Sequence, residues 1–291
     1  MRIVYLNGNF CEEEKAFLPV CDRGFLYGDG IFETMRLYDG VPFLFEEHIQ
    51  RLLKSARELK IQTDLDPAKI ADIVKTLAEK NSLLNGVVRI TLTRGDHAGN
   101  LDLTQTGNAT VLASIRQIPS SFETNSSPPL KVITVRGYGN REKTARHKTL
   151  SYLPYIWARD EAKSEGADDA IIISEMGEVL EATTANIFLV KGAQLFTPPL
   201  ESGILPGITR KAIIEICATY GIKISETAIT VDDLKDAEEI FLTNSVIEIL
   251  PVKSIDAMNL FISRMETTKI LTEAYRKKVA DYIKSHKNVF K

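Results

Sequence analysis

Lys148 stands in the segment Arg146-His147-Lys148-Thr149-Leu150-Ser151-Tyr152, basic at its start and aromatic at its end. Pro154 suits the first turn of a helix, which puts Lys148 on the approach to that helix rather than inside it. A neutral lysine amine attacks carbonyl carbon, but most lysines are solvated surface charges, and only the company of Lys148 separates the two readings. Glu181 falls in the strand-like run Leu180-Glu181-Ala182-Thr183-Thr184. An acid there is disfavoured; it lies on a solvated face or has a buried cationic partner. The segment Gly203-Ile204-Leu205-Pro206-Gly207-Ile208-Thr209-Arg210 leads into a helix. Its first-turn N–H groups, together with the Thr209 hydroxyl, would attract an anion, although the same residues also suit an ordinary helix start. Thr243-Asn244-Ser245 offers a second anion contact or plain turn chemistry. Arg51 lies off the apolar face of a helix, as a solvated cation or an anion ligand.

The elements that must position these groups follow from periodicity. Ile49, Leu52, Leu53, Ala56 and Leu59 recur at the helical spacing, so a helix is expected over 46–61. Further helices are expected over 67–80, from Pro154 to about Ser164, over 211–220 and over 263–284. Ile3–Leu6, Ala16–Val20, Ile31–Leu37, Val87–Thr93, Ala109–Ile115, Leu130–Arg136 and Glu239–Leu242 read as strands. Ala170–Ser174 with Val179–Ala182, and Asn186–Lys191 with Gln194–Thr197, read as hairpins. Gly24, Gly28 and Gly30 mark a loop that bends sharply or admits something close to its backbone. Residues 119–129, rich in Pro and Ser and without period, are the expected linker. The domains are then 1–118 and 130–291, within the size range of ordinary domains.

Composition narrows the chemistry. The net charge is −3 with both signs interspersed, so no basic field is present to attract nucleic acid or an anionic membrane. No apolar run approaches the ~20 residues of a membrane span, and the first residues are too short for a signal peptide's core. Three cysteines without a CxxC pair suggest a reducing cytoplasm. The four histidines are scattered without zinc spacing, so no metal is expected. No GxSxG elbow, Walker loop or GxGxxG fingerprint is present.

A lysine, a strand-borne glutamate, a helix arginine and two hydroxyl-bearing anion sites suit pyridoxal phosphate. Its aldehyde needs an amine, its ring nitrogen a carboxylate, and its phosphate N–H donors, hydroxyls and a guanidinium. The chain also resembles the class IV pyridoxal-phosphate transaminases, the family of branched-chain and D-amino-acid aminotransferases and aminodeoxychorismate lyase. The resemblance rests on six pieces in order: Asp22-Arg23-Gly24 with Tyr27-Gly28-Asp29-Gly30-Ile31-Phe32-Glu33; Glu47-His48-Ile49-Gln50-Arg51-Leu52; Lys148 with Tyr152; Glu181 with Asn186-Ile187-Phe188; Gly203 to Arg210; and Thr243-Asn244-Ser245 with Glu248-Ile249 and Pro251.

The resemblance implies an α/β (α+β type) fold of two domains with the cofactor at their interface, and a homodimer. It implies that Lys148 binds the cofactor covalently and shuttles a proton, that Glu181 faces the ring nitrogen, and that Arg51, Ile208, Thr209 and Ser245 hold the phosphate. Tyr152 and Asn186 would bond near the ring hydroxyl. Tyr27 and Phe32 resemble substrate-side residues of the branched-chain members, and Arg94 resembles the carboxylate-binding arginine of the D-amino-acid members. The implied reaction is amino-group exchange between an amino acid, with a small apolar side chain favoured, and a 2-oxo acid. The alternatives are release of pyruvate and 4-aminobenzoate from aminodeoxychorismate, and a non-catalytic binding protein.

Overall fold

A computed structural model describes residues 1–96, 101–103, 108–118, 122, 127–138, 144–260 and 265–290. The chain divides into two units, one of Met1–Ser120, His147–Tyr152 and Val279–Lys291, the other of Ser121–Arg146 and Leu153–Lys278. The units are therefore not the contiguous 1–118 and 130–291 of the sequence reading. Most of the expected linker lies outside the described residues.

The first unit contains β1 (Ile3–Leu6), β2 (Asn9–Glu12), α1 (Arg23–Tyr27), β3 (Gly30–Tyr38), β4 (Val41–Pro42), α2 (Phe45–Glu58), α3 (Pro67–Lys80), β5 (Gly86–Thr93) and β6 (Thr110–Arg116). Its strands form one antiparallel sheet in the order β2-β1-β6-β5-β3-β4. The periodic residues of α2 (Ile49, Leu52, Ala56) and α3 (Ile70, Val74, Leu77) share one buried cluster with Met35, Leu37, Val88, Ile90 and Leu92 of the sheet. Asp66 starts α3 by accepting from the Lys69 amide at 2.8 Å, ahead of Pro67 in the first turn.

Ala16–Val20, expected as a strand, is not one. After β2 the chain makes a short 3-10 turn at Glu13–Lys15 and stays irregular, with Phe17 79% and Val20 81% exposed. Pro19 cannot donate to a ladder, and no buried face is there to hold a register. The glycine-bearing stretch expected as a loop holds the short helix α1, started by Asp22, whose carboxylate accepts from the Gly24 amide, and closed by Gly28 at φ 67°.

The second unit contains β7 (Leu130–Arg136), α4 (Leu153–Ser164), β8 (Asp169–Ile173), β9 (Val179–Ala182), β10 (Asn186–Lys191), β11 (Gln194–Thr197), α5 (Ile208–Tyr220), β12 (Ile224–Glu226), α6 (Val231–Lys235), β13 (Glu239–Asn244), β14 (Glu248–Ile255), β15 (Met258–Asn259) and α7 (Glu266–His286). The sheet order is β12-β11-β10-β13-β14-β7-β8-β9, with β15 on β14. Three of its pairs (β11–β12, β14–β7 and β7–β8) are parallel, which makes the sheet mixed. β14 was not among the expected strands; Pro251 lies within it, opposite Phe241 of β13. Helix α7 ends in residues of the first unit, where the Tyr282 hydroxyl accepts from the Phe45 amide at 3.1 Å and donates to Glu46 at 2.6 Å.

Candidate active site

In the first unit, Lys148 is seated by strand pairing. The edge of β3 near its start is not covered by β4, and residues 148–150 add to it. The Phe32 amide donates to the Lys148 carbonyl and the Leu150 amide to the Gly30 carbonyl, both at 2.9 Å, with Ile31 and Thr149 forming an antiparallel bridge. Gly30 permits this approach: a Cβ there would sit 2.7 Å from Leu150 Cδ1 and 2.8 Å from the Leu92 carbonyl oxygen. Lys148 Nζ lies over the Phe32 ring, 4.6 Å from its centroid, and 5.9 Å from that of Tyr152. The two rings meet edge-on at 5.4 Å. In the β3–β5 register Phe32 opposes Thr91 and Thr34 opposes Arg89, so Arg89 shares the face of Phe32. Its guanidinium carbon stands 3.6 Å from the Phe32 centroid.

The opposite face of β3 carries Glu33, whose side chain is 1% exposed. Arg51 of α2 binds it along one edge of the guanidinium, Nε to Oε1 at 2.7 Å and Nη2 to Oε2 at 2.8 Å. His48, one turn earlier, places Nδ1 2.7 Å from the same Oε2. Burial alone would raise the Glu33 carboxyl; the Arg51 guanidinium and the His48 hydrogen bond overcome it and hold the carboxyl down at about 2. An ionised carboxylate only accepts, so His48 Nδ1 carries the hydrogen. Burial lowers the His48 ring's own pKa, and the positive charges of Arg51 and Lys148 lower it further, against the pull of Glu33.

In the second unit, Glu181 on β9 is buried rather than on a solvated face. The Leu205 amide donates to its Oε2 and the Tyr155 hydroxyl to its Oε1, each at 3.1 Å, with Asn186 Nδ2 at 3.4 Å from Oε2. Asn186, the first residue of β10, also donates to the Leu205 carbonyl at 3.0 Å. The acid is thereby tied to the turn that begins α5. There Ile208 and Thr209 are both buried in the first turn, and Gly207 at the N-cap offers the helix amides no side chain. A Cβ on Gly207 would clash with Asn186 Oδ1. Ser245 sits in the turn between β13 and β14, where Asn244 Oδ1 accepts from the Val246 amide at 2.8 Å and the Ile247 amide at 2.9 Å. Thr243 Oγ1, beside that turn, is buried with no partner among the described residues. An uncapped helix start and an orphaned hydroxyl fit a phosphate, and the buried, well-donated Glu181 fits a ring nitrogen.

Three more of the expected residues have these surroundings. Arg94, expected at a substrate carboxylate, is 3% exposed and its guanidinium is committed to protein. Nε and Nη2 bind Asp29 at 2.7 and 3.1 Å, Nη1 binds the Lys60 carbonyl at 2.9 Å, and Nη2 also binds the Leu59 carbonyl at 2.9 Å. It joins Asp29, just after α1, to the end of α2. Tyr27 is half exposed at the end of α1. Asn186 binds Glu181 and the Leu205 carbonyl. The sequence reading missed Tyr155, for which no signal was present. It also gave His48 no role and gave Glu33 none beyond its place in the motif, although an acid amid the apolar residues of β3 carried the same signal as Glu181.

The model of the family described as amino-transferase class IV matches residues 30–255. A Methanocaldococcus jannaschii protein, provisionally described as a branched-chain-amino-acid aminotransferase, is 36% identical over 94% of this chain and 95% of its own length. Aminodeoxychorismate lyase of Bacillus subtilis is 34% identical over 97% and 96%. The crystal structure of the branched-chain aminotransferase of Thermoproteus uzoniensis with norvaline superposes with a TM-score of 0.88 at 28% identity, covering 97% of each chain. The chain belongs to the class IV aminotransferases, a family of pyridoxal-phosphate enzymes.

Proposed function

We propose that the protein is an aminotransferase exchanging an amino group between an amino acid with a small apolar side chain and a 2-oxo acid. The observation that carries this is the seat of Lys148: an amine fixed by strand pairing and laid against Phe32 and Tyr152, with Glu181 buried and triply donated in the second unit. When bound, pyridoxal phosphate supplies an electron sink. Lys148 would hold the cofactor through its amine and, when neutral, would serve as the base for the substrate α-proton. Glu181 would face the ring nitrogen and favour its protonated form. Arg51, the first-turn amides of Ile208 and Thr209, the Thr209 hydroxyl and Ser245 would be the phosphate ligands.

Phe32 and Tyr152 form an apolar wall for the substrate side chain, and Arg89, stacked on Phe32, is the cation for the substrate carboxylate in place of Arg94. Lyase activity is the second reading, favoured by the similarity to the Bacillus subtilis enzyme. A panel of L- and D-amino acids with 2-oxoglutarate, run beside aminodeoxychorismate, tests the choice. Turnover of small apolar amino acids supports transamination, and 4-aminobenzoate as the sole product sinks it.

The working form in this reading is a homodimer. Phe17, Val20 and Phe25 expose apolar surface in the first unit, and Leu153, Ile156 and Trp157 expose one face of α4 in the second. Light scattering at the size of one chain would overturn it. No helix among the described residues is long and apolar enough to cross a membrane, and Cys11, Cys21 and Cys217 are free, which supports a reducing compartment.

A further inference from the structure

Two buried polar groups, Glu33 and His48, meet the part-buried Arg51 where α2 packs on β3. Burying an ion pair rarely stabilises a fold more than apolar residues of the same size would, and here a ring is buried with it. The arrangement is geometrically specific. Nε and Nη2 are the side edge of a planar guanidinium, so gripping both fixes the plane and turns the Nη1 end away from the carboxylate. The third bond, from His48, fixes the carboxylate that does the gripping. His48 lies three residues before Arg51 on α2 and therefore on the same helix face. The strand that carries Glu33 is the one whose edge seats Lys148 through Phe32 and Gly30.

We propose that Glu33 and His48 are positioning residues for Arg51, holding its guanidinium in one orientation for the cofactor's phosphate. This rests on the reading in which Arg51 is a phosphate ligand. Glu33 is the anvil: without it Arg51 samples several rotamers and loses the order that a tetrahedral anion rewards. His48 acts one step further back, as a neutral ring whose Nδ1–H keeps Oε2 in line. Both act through Arg51, so both effects are expected only for ligands that carry a phosphate.

The test compares pyridoxal 5'-phosphate with pyridoxal, which has the same ring and aldehyde but no phosphate. Full-length apoprotein is titrated with each and followed by absorbance. Glu33→Gln is expected to weaken pyridoxal phosphate about tenfold and to leave pyridoxal within about twofold. His48→Leu should show a smaller loss of the same kind, and His48→Asn, which restores a donor at the Nδ1 position, should recover it. In an Arg51→Lys background Glu33→Gln should add no further loss. Equal weakening of both ligands, or no weakening of either, overturns the positioning role and leaves the phosphate reading of Arg51 standing. If Arg51→Lys itself fails to lower the preference for the phosphorylated ligand, the underlying reading has failed instead. Should Glu33→Gln not fold, the His48 pair decides: equal affinities for Leu and Asn at that position count against the inference.

Discussion

Acid stability offers a test of the buried Glu33 pair that needs no cofactor chemistry. The Glu33 carboxyl falls from an ordinary 4.5 to about 2 in the fold. The folded state therefore favours the ionised form, and the stability this contributes is present above about pH 4.5 and lost as pH falls toward 2. A shift of that size corresponds to about 3 kcal/mol in full. Between about pH 5 and about pH 3 the expected loss from this one group is about 2 kcal/mol, since most of the unfolded-state protonation occurs in that window. Urea unfolding followed by circular dichroism at those two pH values measures it, with Glu33→Gln as the reference that cannot titrate. His48, held neutral by burial, adds a loss of the same sign that begins near 6.5, so the diagnostic is the difference between wild type and variant below 4.5. Wild type should lose about 2 kcal/mol more than the variant over the window. Parallel curves would mean that Glu33 is not held ionised by Arg51 and His48, and the geometry drawn from it would be wrong.

Three other changes probe the second unit. Gly207→Ala sets a Cβ against Asn186 Oδ1; it should cost roughly 1–3 kcal/mol by thermal melt and weaken cofactor binding, with Asn186→Ala restoring the stability, and a silent Gly207→Ala would contradict that packing. Tyr155→Phe removes the hydroxyl donated to Glu181 at 3.1 Å; turnover should fall roughly tenfold and stability by about 1.5–3 kcal/mol, the scale of a bond to a charged group, and unchanged turnover would show that Glu181 does not depend on it. Glu239 accepts from the Thr267 amide at 3.0 Å, the Thr268 amide at 2.8 Å and the Thr268 hydroxyl at 2.6 Å, which starts α7 from β13; Glu239→Ala should cost about 2 kcal/mol and speed amide exchange at those two residues, while unaltered exchange there would refute the capping role.

The periodic elements were legible because their signal is local. The apolar residues of α2 and α3 face the core as their spacing implies, and Gly207-Ile208-Thr209 does begin a helix. The chemistry-bearing types were legible too, since an acid in an apolar strand stands out, as Glu181 did. Partnership was not legible. Arg94 reads as well as any arginine for a carboxylate, and only the fold brings Asp29 and two helix-end carbonyls to it. The seat of Lys148 depends on a strand edge more than one hundred residues earlier, and Ala16–Val20 has the composition of a strand with no edge to join. For Glu181 the sequence offered a solvated face or a buried cation. The fold supplies a backbone amide, a phenol and a side-chain amide, donors that no spacing announces.

The central claim is that Lys148 is the covalent anchor of pyridoxal phosphate. Borohydride reduction of the purified protein loaded with the cofactor, followed by peptide mass mapping, tests it directly. The yellow colour should bleach and a phosphopyridoxyl group should appear on the peptide containing Lys148 and on no other, with Lys148→Ala giving an unlabelled map. A label fixed to a different lysine, or a colourless wild type that takes up no cofactor, would contradict the account.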